Sequence, residues 1–223
     1  MTLLLPSAAD VIALHDALLS TPGWPADPPA PRDDGLWLWI QTNHRFNCRL
    51  WAEEDLARRT TVADAEIAAN KRAIDGFNQA RNDATERVDE LLLVALGLVD
   101  PASARTDAPV STVPASARLN SETAGSMIDR MSILALKVHA MRAQTERRDV
   151  DAAHREASTG KLDRLLQQRA DLGGCLDALL ADAQAGRAYF KVYRQFKMYN
   201  DPRFNPALVA ERAAALAATG PGR

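Results

Sequence analysis

Apolar residues recur every three or four positions along most of this chain, and that period divides it into helices. Ser7-Ala-Ala-Asp10 has the form of a capping box with Asp in its last position, opening a short helix that ends near Ser20. Residues 21–33 then carry Pro22, Pro25, Pro28, Pro29 and Pro31. Each ring removes a backbone donor and fixes φ, so a stiff, extended linker is expected. Asp34 can cap a second helix reaching about Arg59, and a third spans roughly 62–98. Residues 99–118, rich in Pro, Ala, Ser and Thr, read as a flexible loop. A fourth helix is expected near 123–147 and a fifth near 150–185. A last one, near 187–200, stops before Asp201-Pro202, because proline disfavours helix in the residue before it. Residues 207–218 are alanine-rich and suit a frayed terminal helix. There is no alternating strand pattern and no internal repeat. The expected fold class is all-α: a single-domain bundle of five to six helices around a central apolar helix, over residues 34–206. Residues 1–33 form a helix and proline-rich linker before it, and 207–223 a flexible tail.

Sorting side chains by face at ~100° per residue locates a polar seam. On the second helix Trp37, Ile40, His44, Asn47, Trp51, Glu54, Asp55 and Arg58 share one side, apolar at first and polar later. On the third, Ile67, Ile74, Phe77, Ala84, Val88, Leu91 and Ala95 make a core stripe. Beside it runs Lys71, Asp75, Asn78, Asn82, Glu86 and Asp89, with Arg72, Asp83, Arg87 and Glu90 on the solvated side. Asparagine is a poor helix former because its amide competes for backbone hydrogen bonds. Asn78 and Asn82, one turn apart in mid-helix, therefore point to a tertiary partner or a ligand.

The fourth helix is apolar nearly all round and should be central. Asp129 falls among Ile133, Leu136 and Ala140, so it points inward, and a buried carboxylate needs a partner. Arg130 and Lys137 are candidate partners; Lys137 lies two turns away, so it and Asp129 would bracket something between them. Upstream, Ser121 or Thr123 can cap this helix, with Glu122 between them, and free N–H groups there would suit an anion.

Composition narrows the function less than it narrows the fold. Apolar residues are 47% and charged residues 25% of 223, and the net charge is −2, which gives no electrostatic case for nucleic acid or an anionic membrane. Cys48 and Cys175 are far apart, too few for a disulfide scaffold or a zinc cluster. The N-terminus lacks the basic start of a signal peptide, and the apolar run at 91–99 is under half the ~20 residues of a membrane span, so no membrane insertion and a cytoplasmic location are expected. Locally, 187–203 holds five basic residues against one acid and interleaves them with aromatics, while 53–90 holds ten acids against six bases. These opposite fields favour docking of the basic segment, with Lys197 and Asn200, onto the bundle. No HExxH, paired ExxH, glycine-rich phosphate loop or GxSxG is present, so no cofactor is evident and no metal ligand set is assigned.

Several stretches together resemble an uncharacterised bacterial family, domain of unknown function 4254. They are Trp51-Ala-Glu-Glu-Asp-Leu-Ala-Arg58, Lys71-Arg-Ala-Ile-Asp75, Asn78-Gln-Ala-Arg-Asn-Asp83, the run from Leu119 through Asn120-Ser121-Glu122 and Asp129-Arg130 to Lys137, and Lys197-Met-Tyr-Asn-Asp-Pro202. The resemblance covers about 43–206. The family has a histidine after the first tryptophan, where this chain has Ala52, so any role of that histidine is absent. Genes of the family often lie near glycosyltransferases for surface polysaccharides. The resemblance therefore implies a cytoplasmic role in envelope glycan assembly.

Three functions are consistent with these residues. The first is a site for a small anionic ligand, a phosphorylated sugar or sugar nucleotide, oriented by Asn78, Asn82 and Asp129 with Arg58, Lys137 and Lys197 meeting its charge. The second is a nucleotide pyrophosphohydrolase, the one reading that calls for magnesium, held by Glu53-Glu54-Asp55 and Glu86-Arg-Val-Asp89; Ala57 stands where its acidic motif would end. The third is a non-enzymatic adaptor docking on a glycosyltransferase partner.

Overall fold

The computed structural model describes residues 5–33, 35–195 and 201–218. Its order is α1 (Ala8–Leu19), α2 (Leu36–Leu56), α3 (Asp64–Ala95), β1 (Arg118–Leu119), α4 (Ala124–Thr145), α5 (Ala152–Gln184), β2 (Ala188–Tyr189) and α6 (Pro206–Ala218). The all-α class holds. The first five helices start and stop within a few residues of the positions read from the hydrophobic period. Ser7 caps α1 by accepting from the Asp10 N–H, and Thr123 caps α4 by accepting from the Ser126 N–H. For α2 the capping carboxylate is Asp33, which accepts from Gly35 and Trp37 N–H at 2.9 and 3.2 Å; Asp34 lies outside the described residues.

The helix that is apolar nearly all round is the centre: α4 packs against α1, α2, α3 and α5. Ile128 and Met131 of α4 are sealed among Val11, Ile40, Leu92 and Leu176 of its four neighbours. The α3 core stripe departs from the expected one near its end, where Leu92 and Leu93 are buried and Ala95 is exposed. A seven-residue step falls ~20° short of two full turns, and over three or four heptads the inward face moves on by about one residue. Glu90, expected on the solvated side, is also buried at this end and pairs with Arg87 at 2.6 Å.

Three connections differ from expectation. The proline-rich segment is a strap docked on α2 rather than an extended linker. Its carbonyls at Pro25, Ala26 and Pro29 accept from Arg45 and Gln41 of α2. Proline-rich chain offers acceptors without matching donors, so side chains of the helix supply them. The loop at 99–118 is internally bonded: Asp100 N–H donates to Val110, Thr112 N–H donates to Leu98, and Ala104 is buried.

The helix expected after residue 187 is absent among the described residues. Gly186 (φ +70°) ends α5, and β2 then pairs in parallel with β1, matching Arg118 with Ala188 and Leu119 with Tyr189. Ala188 and Phe190 alternate inward, a strand period too short to register against the helical pattern around it. The described residues up to Val192, α1 among them, form one compact unit, and those from Tyr193 form a second. In the second unit α6 begins at Pro206, where a missing N–H costs nothing, and the Asn205 side chain accepts from Ala207 N–H.

Helices α3 and α4 approach closely at Gly125. A Cβ there would stand 2.6 Å from the Thr85 carbonyl and 2.8 Å from the Asp89 carboxylate. Gly125→Ala should therefore push α4 off α3 and destabilise the protein by about 1–3 kcal/mol. Urea unfolding checks this, and an unchanged midpoint would show that the contact is not that tight.

Candidate functional site

The seam exists, and its centre is Asp129. Asp129 Oδ1 accepts from Asn43 Nδ2 and from Asn47 Nδ2, both at 2.8 Å, and Arg81 Nε stands 3.9 Å away. Asn43 also donates to Thr85 Oγ1 at 3.0 Å, and Asn47 donates to Ser132 Oγ at 3.0 Å. Residues of α2, α3 and α4 thus meet through short polar side chains one turn apart on α2. Asp129 points inward as its place in the heptad requires, but its partners are not those proposed from sequence. Arg130 pairs instead with Glu122 at 2.5 Å, and Lys137 is exposed.

The network continues into the core. Ser132 Oγ lies 2.7 Å from His44 Nδ1. That oxygen also accepts from Asn47, and the other ring nitrogen, Nε2, faces Cys48 Sγ at 3.8 Å. His44 is stacked between His15 (centroids 4.4 Å) and Trp24 (5.6 Å), and the Trp24 indole donates to Cys48 Sγ. Burial pulls His44 down to about 3 and His15 well below the usual imidazole range, the latter also through His44 and Arg169 nearby. Burial likewise pushes the Cys48 thiol up to about 11, so it is not a poised nucleophile.

At the other end, Asp89 accepts from Gly125 N–H at 2.6 Å, on the first turn of α4. The anion expected at that helix N-terminus is the protein's own carboxylate, with Thr123 capping beside it. Burial pushes Asp89 up to about 7, against the pull of Thr123 and the Gly125 N–H, while Glu86 and Glu90 add to the rise.

Above Asp129 the seam opens into a cleft of about 340 Å³ between α2, α3 and α4. Of the residues singled out from sequence, it gathers Asn47, Trp51, Glu54, Asp55, Arg58 and Asn78, and it adds Arg81. Ile133 and Leu136 of α4 supply apolar floor. Asp129 and Asn82 lie behind the wall: Asp129 binds Asn47, and Asn82 accepts from the Arg81 guanidinium at 3.0 Å. Arg58 is tied to Glu54 at 3.1 Å on the surface, where such a pair contributes little. Arg81 Nε is buried and has no hydrogen-bond acceptor.

The remaining sequence candidates go elsewhere. Ser121, Glu122, Arg130 and Lys137 line a larger hollow of about 890 Å³ between α4 and α5. Lys71 and Asp75 are exposed and pair with each other. Glu86 is half-buried, close enough to Asp89 to raise it. Lys197 and Asn200, with the end of the basic aromatic segment, lie outside the described residues. Among the described residues no group of three or more His, Cys, Asp or Glu side chains is arranged to hold a metal ion. Glu53 instead accepts from Asn70 at 2.6 Å, and Asp89 serves α4.

Sequence reasoning missed Asn43, Arg81, Thr85 and Ser132. Asn43 carried a readable signal, since Asn43 and Asn47 repeat the i, i+4 pairing that marked Asn78 and Asn82. Ser132 and Thr85 look like ordinary helix residues until their partners are known.

Fold and site together define a helical bundle with a polar interhelical cleft. The chain belongs to the family described as Protein of unknown function (DUF4254), which matches residues 37–192. That span takes in the whole seam and cleft and ends before the Lys197–Pro202 motif. No curated protein and no solved structure matches the chain. Among the described residues no helix is long and apolar enough to cross a membrane.

The buried histidines and Asp89 give opposite pH dependences. Both imidazoles are held neutral, so below their usual value of 6.5 the unfolded chain takes up protons that the folded one refuses, and stability falls with pH. Asp89 keeps its proton up to about 7 when folded and loses it near 3.8 when unfolded, so its contribution falls as pH rises through that window. Two groups outweigh one. Wild type should lose stability as pH falls from 6.5 to 4, His15→Leu should be nearly flat there, and Asp89→Asn should be steeper. Chemical denaturation across that range is the check; a His15→Leu slope equal to wild type would contradict the assignment.

Proposed function

We propose that the cleft binds a phosphorylated sugar. The observation that carries this reading is the Arg81 guanidinium, held at the base of the cleft with Nε buried and without an acceptor. A buried donor left unpaired is costly, and an arriving oxyanion would supply the missing acceptor with charge assistance. Asn82 orients that guanidinium, and Asp129 behind it keeps the site from being wholly cationic.

The other walls suit a polyhydroxylated ring. Trp51 offers an aromatic face at the mouth, Asn47 and Asn78 offer amides, and Glu54 and Asp55 offer carboxylates that accept from hydroxyls. A small apolar floor with a few converging polar groups is the usual make-up of a small-molecule site, and about 340 Å³ suits one sugar phosphate. The Arg81 end of the seam lines the cleft, whereas the ring nitrogens of His15, which also lack a hydrogen bond, lie in the closed core.

Titration calorimetry with a panel of hexose 1-phosphates tests this. Wild type should bind at least one, and Arg81→Met and Asn78→Ala should each weaken it at least tenfold. Removal of Arg81 should leave stability unchanged or slightly raised, because it deletes an unpaired donor. If Arg81→Met unfolds the protein by several kcal/mol, the guanidinium is structural and the reading fails.

A further inference from the structure

Trp51 belongs to two concavities. On its far side lies a hollow of about 430 Å³ lined from α4 and α5, with Ala140, Met141 and Leu165 as apolar surface. Lys137, Lys161 and Arg164 stand around it, and no carboxylate lines it. The side chains of these three cations form no hydrogen bond or ion pair among the described residues. Exposed arginines of the same unit differ in this respect: Arg72, Arg105, Arg142 and Arg148 also stand without such a partner, while four others are paired. Arg58 is held by Glu54, Arg130 by Glu122, Arg147 by Asp149 and Arg187 by Asp182.

Three unopposed positive charges over an apolar surface repel one another and focus potential into the hollow. A bound phosphate or diphosphate relieves that repulsion, and the apolar lining must then cover something attached to it. Two amides at the edge say what. Gln168 has no side-chain partner, and Gln144 uses its oxygen to accept from Arg147 and His154, which leaves its NH2 free. A heteroaromatic base has hydrogen-bonding edges for both; an isoprenyl chain would use neither.

We propose that this hollow takes a nucleoside diphosphate, with its phosphates on Lys137, Lys161 and Arg164 and its base on Met141 and Leu165. The hollow is a site of its own beside the cleft: a hexose 1-phosphate in the cleft keeps its phosphate on Arg81, and the nucleoside diphosphate keeps its phosphates on the three cations.

The test is calorimetry on the full chain with uridine, guanosine and adenosine diphosphates, inorganic pyrophosphate, geranyl diphosphate and a hexose 1-phosphate. The variant is Lys161→Ala/Arg164→Ala, two exposed residues without partners, with a melting curve to confirm folding. At least one nucleoside diphosphate should bind wild type tenfold more tightly than pyrophosphate does, and the double variant should lose at least tenfold while hexose 1-phosphate binding is unchanged. Equal nucleotide affinity in wild type and variant overturns the proposal. So does pyrophosphate binding as tightly as the nucleotides, or geranyl diphosphate binding where no nucleotide does. If hexose 1-phosphates fail to bind but nucleotide binding depends on Lys161 and Arg164, the cleft reading falls and the hollow keeps its assignment.

Discussion

A carboxylate inside a helical bundle is held in place by whatever donates to it, and in this protein that means the amides of Asn43 and Asn47 around Asp129. The two amides come from α2 and the carboxylate from α4, and Thr85 of α3 accepts from Asn43. A shift of any one helix along its axis would separate these groups and leave charge unpaired at low dielectric. The network therefore fixes the relative register of three helices that apolar packing alone would hold less specifically. It also sets where the bundle opens. Inward from Asp129 the hydrogen bonds run through Ser132 to His44 and stop at His15, whose ring nitrogens have no partner; outward, toward Arg81 and Asn78, the cleft opens.

The second constraint is the approach of α4 to α3 at Gly125. It brings the first turn of α4 onto Asp89, which accepts from its backbone as an external anion would. With the first two turns of α4 fixed in this way, its middle presents Ile133, Leu136 and Lys137 between α2 and α5, which make no close backbone approach. Trp51 stands at the edge of that opening. The cleft and the cationic hollow lie beside the central helix and share Trp51 as a lining residue.

Much of this was legible in the residues. The helical period gave five helices and the central place of α4, and the angle of Asp129 relative to Ile133 and Leu136 gave its inward direction. Six of the residues that line the cleft were picked out by face alone. The failures have physical causes. The late stripe of α3 was misplaced because a heptad is not two full turns, so Leu92 replaced Leu91 and Glu90 became buried. The strand at Ala188 was hidden because two inward residues are too few to set a period. The strap on α2 was read as a linker because proline content shows where donors are missing and not which side chains replace them. Arg81 was passed over because an arginine on a helix flank is ordinarily solvated; its importance comes from Asn82 and Asp129 turning it inward.

The most direct measurement is a crystal structure of the protein grown with a hexose 1-phosphate at saturating concentration. The account expects the phosphate within hydrogen-bonding distance of Arg81 Nε and the ring against Trp51, with the Asn43–Asp129–Asn47 bonds unchanged behind them. Ligand density elsewhere, or an Arg81 that turns to close on Asp129 and seals the cleft, would contradict it.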